Sequence, residues 1–496
     1  MRKAITSGDL LSYMMRAAAP TIGVLCLVAV SVVLLQLNGC AGCTLFFNFP
    51  DSPSPISQET FRSNSTATPF TSARIRHVVV IVQENRTPDN LFHDPVLIAR
   101  GADIAGSGVN SHGQTIRLTP SPLTSQYDLD HSHAAFLEMY DNGNMDGADK
   151  VKLYCKAGVT GCPPPNPQFM YVQASDVSPY FQMAEQYTFG DRMFQTNQGP
   201  SFPAHQFIIS GTSAPTATST LFAAENPSGT AGCIAPSGSR VSVIDSSGQE
   251  FCTAYPCFEH PTLSDELDAE GISWRYYTPS VGSIWTGPNA IQHICKPKMH
   301  HGRLVCTGTA WSNVIIPQTQ VLTDIANHNL AAVSWVIPGG QASDHPSINQ
   351  GTGPSWVASI VNAIGNSSYW ANTAIIITWD DWGGWYDHLP PPQVRVDCSQ
   401  WGCGYVYGFR VPLIVISPYA KPGYISHLQH DFGSILKLIE ENYRLGSLGY
   451  ADALADDLSD FFNFNQPPRS FHPIAAPLGP DHFLNDTAPP TDPDDD

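Results

Sequence analysis

The stretch that most constrains the fold is residues 374–392, AIIITWDDWGGWYDHLPPP. Its β-branched run at residues 375–378 predicts a strand that is buried on both faces. The run stops at Asp380 and Asp381, after which glycines and three prolines turn the chain. Two adjacent carboxylates repel each other in a buried setting unless a cation lies beside them. The stretch therefore indicates either a metal site at a strand end or a solvated turn, where aspartate is common.

Similar strand-like runs alternate with helical patterns along the rest of the chain. Apolar runs at residues 77–82 and 411–417 predict two further buried strands. A helix followed by a strand is predicted in each of the segments 263–279 and 321–338. Further helices are predicted at residues 134–140, 178–190, 355–363 and 431–443. This alternation predicts an α/β fold with a mainly parallel sheet, flanked by helices on both faces and carrying loop insertions.

A second predicted strand also delivers polar side chains to its carboxyl end. Glu84 and Asn85 follow the first strand of the chain, as Asp380 and Asp381 follow a later one. A glutamate after a strand is more often a solvated loop residue, but the repeated pattern favours one shared site. The oxygens of these four residues form a hard ligand set, which suits one divalent cation such as Ca²⁺, Mg²⁺ or Mn²⁺.

Candidates for catalysis lie in the loops near these strands. Ser201 lies in a Gly-Pro-Ser turn, where serine is by default only a turn residue. A cation beside it would lower the pKa of its hydroxyl. His131 precedes a predicted helix, His345 follows a predicted strand, and His388 lies shortly after the aspartate pair. Histidines in such places are often structural, but beside a serine and a cation they can act as general acid and base.

The N-terminal residues have the pattern of an export signal. Basic residues precede an apolar run at residues 22–37, and Leu-Asn-Gly-Cys at residues 37–40 resembles a bacterial lipobox. Cleavage, lipidation at Cys40 and a retained anchor all remain open. The predicted organisation is a signal peptide or lipoprotein leader at 1–40, a Ser/Thr/Pro-rich tether at 41–73, a folded domain at 74–466 with an insertion near 216–257, and an extended acidic tail at 467–496.

Cysteine usage and net charge also limit the function. Twelve cysteines suit an oxidising compartment, and local disulfides are predicted for the close pairs Cys155/Cys162, Cys252/Cys257, Cys295/Cys306 and Cys398/Cys403. Cys233 is then the natural candidate for an unpaired thiol. A net charge of −19 argues against nucleic acid as a partner. It leaves small anionic substrates open, because a bound cation can reverse the local field.

Five motifs together resemble a known family. In chain order they are HVVVIVQENRTPDNLF, GPSFPAHQFIISGTS, SDHP, TWDDWGGWYDHLPPP and DDLSDFFNF, spread over roughly residues 75–465. They resemble the bacterial phosphoesterase family, which contains phosphatidylcholine-type phospholipases C and acid phosphatases and shares the alkaline phosphatase superfamily fold. The tryptophan-rich motif is the most specific of the five.

The resemblance implies roles for the candidate residues. One metal ion would be bound by Glu84, Asn85, Asp380, Asp381 and Ser201. Ser201 would also be the nucleophile and would form a phosphoserine. The phosphate would be contacted, or protons transferred, by His131 and His345, with His388 as a further candidate.

Together with the N-terminal export pattern, the resemblance implies an exported phosphoesterase, with a phospholipid as one candidate substrate. The leader or a lipid anchor would allow membrane contact. Phospholipase C and acid phosphatase remain alternatives. Phospholipase members often have Thr-Trp-Pro-Asn-Arg where this chain has SFPAH at residues 201–205, and the serine leans toward the phosphatases. Whether Trp382, Trp385 and Tyr386 form an apolar platform for a lipid or pack in the core is also open. A third alternative is a non-catalytic surface binding protein, against which the retained Ser201 argues.

Overall fold

The computed structural model describes residues 74–394 and 406–488, all of which belong to one compact unit. The predicted leader and tether, the predicted pair Cys398/Cys403 and the end of the tail lie outside the described residues. Within the described part of the chain, no helix combines the length and the apolar character needed to cross a membrane.

A nine-stranded sheet forms the centre of the fold. Its strands are, in chain order, β1 His77–Gln83, β2 Thr188–Phe194, β3 Trp274–Tyr277, β4 Val314–Ile315, β5 Val333–Val336, β6 Thr373–Trp379, β7 Arg410–Ile416, β8 Tyr424–Ser426 and β9 His430–Asp431. They lie in the order β4-β3-β5-β1-β6-β7-β2-β8, and β9 pairs with β2. Every residue of β6 and β7 is buried, so both faces of the sheet are covered there.

Strand direction brings distant segments of the chain to one edge of the sheet. β4, β3, β5, β1 and β6 are mutually parallel, whereas β7 is antiparallel to both of its neighbours, β6 and β2. Two reversals restore the direction, so β2 runs the same way as β1 and β6. The carboxyl ends of β1, β2 and β6 and the beginning of β7 therefore share one edge.

The helices fall into two packing groups. The longer ones among the described residues are α1 His133–Tyr140, α2 Ala174–Gln186, α3 Ser201–Ser210, α4 Leu263–Ala269, α5 Gln320–Ala326, α6 Gly353–Gly365 and α7 Phe432–Tyr443. Shorter ones are Pro88–Leu91, Pro95–Ala99, Gln292–Cys295, Ala451–Leu454 and Pro480–Leu484. α6 packs against α2 and α5, while α3 packs against α4 and α7. The predicted α/β fold with a mainly parallel sheet is confirmed.

The helix predicted at residues 178–190 is wrong over its last four residues. α2 ends at Gln186, and β2 begins at Thr188. The strand sequence TFGDRMF contains Asp191 and Arg192, so no continuous apolar run marks it as buried. Its backbone pairs with β7, β8 and β9, and this pairing decides its conformation.

Two of the predicted disulfides are confirmed, and one is wrong. Cys155–Cys162 and Cys295–Cys306 form as expected. Cys257, however, is bonded to Cys233, with their Cα atoms 4.5 Å apart. The Tyr255 hydroxyl donates to the Ala235 carbonyl at 2.7 Å, which holds the two segments together. This long-range contact leaves no trace in the cysteine spacing, which favoured the nearer Cys252/Cys257 pair and an unpaired Cys233.

The segment at residues 216–257, predicted to be an insertion, contains a three-stranded antiparallel sheet. Val241 and Ile244 of this sheet are buried in the main core, so the segment packs firmly on the domain. The strands of this sheet are Phe222–Ala223, Val241–Ile244 and Glu250–Ala254.

Four two-stranded sheets are also present among the described residues. They pair Ser107–Val109 with Thr115–Arg117, Thr119–Ser121 with Met170–Val172, Tyr127–Leu129 with Leu153–Cys155, and Pro297–His300 with Arg303–Cys306.

The predicted acidic tail is not extended throughout its described part. Pro480–Leu484 forms a short helix. Within it, Phe483 is buried and packs against Trp356 of α6, with ring centroids 5.2 Å apart. Burial of this aromatic ring ties the segment to the domain.

Glu440 in α7 is a buried carboxyl beside Asp452. Burial, together with the charge of Asp452, raises the pKa of Glu440 to about 8 from its ordinary value of 4.5. Because the folded pKa is the higher one, the contribution of Glu440 to stability falls as the pH rises from the unfolded to the folded value. We expect Glu440→Gln to raise the melting temperature at about pH 9 but not at about pH 4. Thermal unfolding of Glu440→Gln is compared with that of Glu138→Gln, which replaces an exposed carboxyl on α1. Equal shifts in melting temperature for the two variants would contradict the prediction.

Candidate active site

The site lies where β1 and β6 end. Backbone hydrogen bonds join the two strand ends: the Asp380 amide donates to Gln83 O at 3.0 Å, and the Arg86 amide donates to Asp381 O at 2.9 Å. Asp380 Oδ1 accepts the amides of Asn85 and Asp381 at 3.1 and 2.8 Å. The adjacent, parallel strands thus place the acidic and amide side chains of both loops in one hydrogen-bonded turn.

Several ligand atoms at this turn are buried without a hydrogen-bond partner among the described residues. They are both carboxylate oxygens of Glu84, Asn85 Oδ1, Asp380 Oδ2 and His205 Nε2. All of these residues are fully buried. Buried lone pairs without donors are costly, and several facing each other also repel. A divalent cation would satisfy all of them, so the residues present fit the predicted metal ion.

Ser201 is the first residue of α3 rather than part of an isolated turn. Its hydroxyl donates to Asp381 Oδ2 at 3.1 Å, and its side chain is buried. The next amide, that of Phe202, donates to Asn226 Oδ1 at 2.9 Å, so the segment at residues 216–257 helps to hold the start of the helix. The loop after β2 carries Ser201 to the aspartates, because β2 ends at the same edge of the sheet as β1 and β6.

His131 and His345 lie together beside the carboxylate turn. His131 Nδ1 lies 2.9 Å from Leu129 O, which can only accept, so this nitrogen carries a proton. Its Nε2 then accepts from Asn85 Nδ2 at 3.0 Å. His345 Nδ1 donates in the same way to the Pro346 carbonyl at 2.7 Å. The two imidazole rings are 5.8 Å apart, and the structure therefore brings both predicted histidines to one place.

His388 is bound to a different set of charged groups. Its Nδ1 lies 2.7 Å from Asp89 Oδ2, and its Nε2 lies 3.1 Å from Asp103 Oδ1. Arg410, at the start of β7, lies beside it and also pairs with Asp387. Burial lowers the pKa of His388, but the hydrogen bond and charge of Asp89 outweigh it and raise the pKa overall. Both ring nitrogens of His388 are therefore bound within an ionic network. This argues against the catalytic role that was predicted for His388.

His205 is a candidate site residue that the sequence reasoning missed. It lies on α3 one turn after Ser201, with its side chain fully buried. Nε2 lies 3.5 Å from Glu84 Oε1 and 3.8 Å from Asp380 Oδ2. The spacing of four residues from Ser201 could have indicated it, since such residues share one face of a helix.

Burial and mutual repulsion shift the pKa values in the cluster. Burial, together with the charge of Asp380, raises the pKa of Glu84 well above its ordinary value. The same two causes raise the pKa of Asp381. Burial lowers the pKa of His205 to about 4, so its ring is neutral at about pH 7. Carboxyls of the metal-free site therefore retain protons, and a cation that binds there displaces them.

The aromatic residues after the aspartates belong to the core. Trp382, Trp385 and Tyr386 are all buried, in a second apolar cluster that also contains Phe136 and Phe409. Trp382 packs edge-on against His131, with ring centroids 6.3 Å apart. These side chains therefore shape the wall behind the site and offer no exposed apolar platform.

Gly383 permits the close approach of the loops that follow β1 and β6. Its φ is +61°, and a Cβ atom there would lie 2.5 Å from Asn85 O and 2.6 Å from Asn85 Cβ.

We expect Gly383→Ala to displace Asn85 and to lower metal affinity and turnover together, by at least about 10-fold. Calorimetric metal titration and initial rates test this. Gly113→Ala is the control, because it has a similar φ of +71° with nothing within 4 Å. If both variants behave alike, backbone strain rather than the contact with Asn85 is responsible.

Comparison with known proteins gives related sequences that are named phospholipase C. Phospholipase C A from Mycobacterium tuberculosis is 24% identical over 495 residues, covering 90% of this chain and 87% of the relative. Hemolytic phospholipase C from Pseudomonas aeruginosa is 23% identical over 442 residues, covering 79% of this chain and 56% of that longer protein. A protein in the alkaline phosphatase superfamily from Vibrio parahaemolyticus is 9% identical, covers 79% of this chain and 71% of its own, and has a TM-score of 0.34. A TM-score of this size does not bear on function.

A match to a protein family covers the central sheet and the site. The sequence profile of the Phosphoesterase family matches residues 75–446, which include both strand-end motifs, Ser201 and the histidines of the site. The matched range begins just before β1 and ends just after α7, so it contains the whole central sheet. The chain therefore belongs to the Phosphoesterase family.

Proposed function

We propose that this hydrolase of phosphoric esters is an exported, metal-dependent phosphoesterase of the phospholipase C type. It would work through a phosphoserine at Ser201. The observation that carries the proposal is the position of Ser201, whose hydroxyl lies 3.1 Å from Asp381 Oδ2 beside the unpartnered atoms of Glu84, Asn85 and Asp380. A nucleophile, a cation-binding cluster and two histidines meet at one edge of the sheet, as phosphoryl transfer requires.

The metal ion would be held by oxygens of Glu84, Asn85, Asp380, Asp381 and Ser201. Bound there, it would lower the pKa of the serine hydroxyl and neutralise charge on the phosphate. Asn85 uses its amide nitrogen on His131, which leaves Oδ1 directed to the cluster. The hydrogen bond from Ser201 to Asp381 orients the nucleophilic oxygen before substrate arrives.

In the first step, Ser201 Oγ would attack phosphorus in line, forming an O–P bond while the bond to the leaving alcohol breaks. The serine proton has to leave, and the leaving alkoxide has to gain one. His131 and His345 are the groups placed to move these protons and to stabilise the phosphate charge, since their rings lie 5.8 Å apart at the same turn. Water would then hydrolyse the phosphoserine and regenerate Ser201.

The substrate class is proposed from the relatives. Those named phospholipase C favour a choline phosphodiester, whereas serine in place of threonine at residue 201 favours a phosphomonoester and hence an acid phosphatase. Comparing hydrolysis of p-nitrophenylphosphorylcholine and p-nitrophenyl phosphate, with and without chelator, decides between them. A chelator-sensitive preference for the diester supports the proposal, and a preference for the monoester supports the phosphatase. No hydrolysis of either ester by the metal-bound protein would favour a non-catalytic surface binding protein.

Export is proposed from the sequence of the first 40 residues and from the disulfides. The described disulfides, including Cys233–Cys257, are typical of proteins that fold in an oxidising compartment. We propose residues 74–466 as the phosphoesterase domain, tethered by residues 41–73 to a cleaved, lipidated or retained leader. Mass spectrometry of the mature N-terminus distinguishes these three forms, and an unprocessed cytoplasmic chain would overturn export.

A further inference from the structure

His205 has a buried imidazole nitrogen that no other described group hydrogen-bonds. Nε2 lies 3.5 Å from Glu84 Oε1 and 3.8 Å from Asp380 Oδ2. Both distances exceed the N–H···O hydrogen-bond range of about 2.7–3.2 Å. Two ligand atoms that each bind a cation at about 2.1 Å lie roughly 3–3.5 Å apart, so small adjustments would place all three atoms around one ion.

The hydrogen bonds behind the ring decide which nitrogen carries the proton. Tyr276 Oη lies 3.3 Å from His205 Nδ1 and donates its own proton to Trp285 O at 2.9 Å. The tyrosine oxygen can therefore only accept from Nδ1–H. The neutral ring then has its lone pair on Nε2, where it faces Glu84 and Asp380.

Two other interpretations of this histidine fit the contacts less well. A protonated ring would form a direct ion pair with Glu84, yet the 3.5 Å separation is too long for a charge-assisted hydrogen bond. A structural buried histidine normally has both nitrogens hydrogen-bonded, as His430 has with Ser426 and Asp456. A lone pair that faces two carboxylates is repulsive unless a cation lies between them.

We propose that His205 Nε2 is a direct ligand of the metal ion, together with Glu84 and Asp380. This inference rests on the metal site of the proposed function, and it changes the character of that site from all-oxygen to mixed nitrogen and oxygen. Imidazole suits transition-metal ions, whereas Ca²⁺ and Mg²⁺ take oxygen ligands. The site therefore selects a transition-metal dication such as Zn²⁺ or Mn²⁺ over Ca²⁺. One face of α3 would carry both the nucleophile, Ser201, and a metal ligand.

Tyr276 is the positioning residue for this ligand. It lies on β3, is fully buried, and holds the ring from the side opposite the carboxylates. Loss of a hydrogen-bond partner behind a metal-binding histidine typically lowers metal affinity by about 10–100-fold. Tyr276→Phe keeps the ring volume and removes only the hydroxyl, so it tests the role of His205 without removing the imidazole.

The test measures metal binding and metal–nitrogen coupling, independently of turnover. The purified full chain is stripped of metal and titrated with Zn²⁺ and Ca²⁺ by calorimetry, and Mn²⁺-loaded protein is examined by pulsed electron paramagnetic resonance for nitrogen hyperfine coupling. His205→Asn is compared with wild type. His260→Asn, which removes another buried imidazole outside the carboxylate turn, is the matched control.

We expect nitrogen coupling in wild type and His260→Asn that is lost in His205→Asn. Zn²⁺ affinity should fall at least about 100-fold in His205→Asn and about 10-fold or more in Tyr276→Phe, with Ca²⁺ affinity little changed. Nitrogen coupling that is absent from wild type, or unchanged in His205→Asn, overturns the inference. If hydrolysis is chelator-sensitive but the nitrogen coupling is absent, the proposed function is supported and the inference about His205 is overturned. If the coupling is present but no ester is hydrolysed, His205 is supported as a metal ligand and the proposed function is overturned. If His205→Asn does not fold, Tyr276→Phe decides: unchanged Zn²⁺ affinity overturns the inference.

Discussion

Replacing Ser201 by alanine is expected to lower turnover by at least about 10⁴-fold, because a covalent mechanism through Ser201 then loses its nucleophile. The hydroxyl donates to Asp381, and its removal should leave the rest of α3 in place. Metal affinity should therefore fall far less than turnover, since the oxygens of Glu84, Asn85 and Asp380 remain. Initial rates and calorimetric metal titration on the same preparation test this.

Ser210→Ala provides the matched control for the nucleophile. Ser210 is also a buried serine of α3, but its hydroxyl donates only to the backbone oxygens of Gln206 and Thr212, at 2.7 and 3.0 Å. Its removal should leave turnover within a few-fold of wild type. Acid quenching of wild type during turnover, followed by peptide mass spectrometry, should detect a phosphate on Ser201. Substantial hydrolysis by Ser201→Ala would exclude the nucleophile assignment.

Removal of the proposed metal ion is the second change with a large expected effect. Chelation should abolish hydrolysis and lower stability, because the buried carboxyls of Glu84, Asp380 and Asp381 then have to take up protons or stay ionised without a compensating charge. Metal present at 1,000 times its Kd contributes about 4 kcal/mol of stability, which should appear as a shift of several degrees in the melting temperature. Differential scanning calorimetry with and without chelator measures it.

The size of this shift should depend on pH in a defined direction. Folding raises the pKa of Glu84 and Asp381 well above their ordinary values, so the metal-free protein loses stability as the pH rises between the unfolded and folded values. A cation requires these carboxyls in ionised form, so its affinity increases over the same range. The difference between metal-bound and metal-free protein should therefore be larger at about pH 8 than at about pH 5. A difference that shrinks with rising pH would contradict the cluster as the metal site.

The strand-end residues of the site could be predicted because they follow recognisable buried strands. Glu84 and Asp380 come directly after β-branched runs, and the parallel sheet brings such ends together. Ser201 was harder to place. Its position depends on β2, which is hard to recognise as a strand because its sequence contains charged residues. It also depends on the two reversals of strand direction at β7.

Other residues were missed or misplaced in the sequence analysis, for different physical reasons. His205 lies in a helix in which every residue is buried, so its apolar pattern does not distinguish the side that faces the site. His388 is only seven positions after Asp381, yet Asp89 and Asp103, which hold it, come from the first part of the domain. Cys233 pairs through a tertiary contact that its spacing does not reveal.

The position of β1 in the sheet has a consequence for the order of events during biosynthesis. β1 is the first strand of the sheet to be made, but its two neighbours begin only at Val333 and Thr373, in the last third of the domain. It therefore has no partner in the sheet until most of the domain has been synthesised, and pairings between such distant segments form slowly. A nascent chain of this kind stays unfolded for longer, which is the state in which an exported polypeptide is threaded through a translocation channel. For a chain exported as proposed above, the strand order that builds the site would also delay folding until translocation is complete.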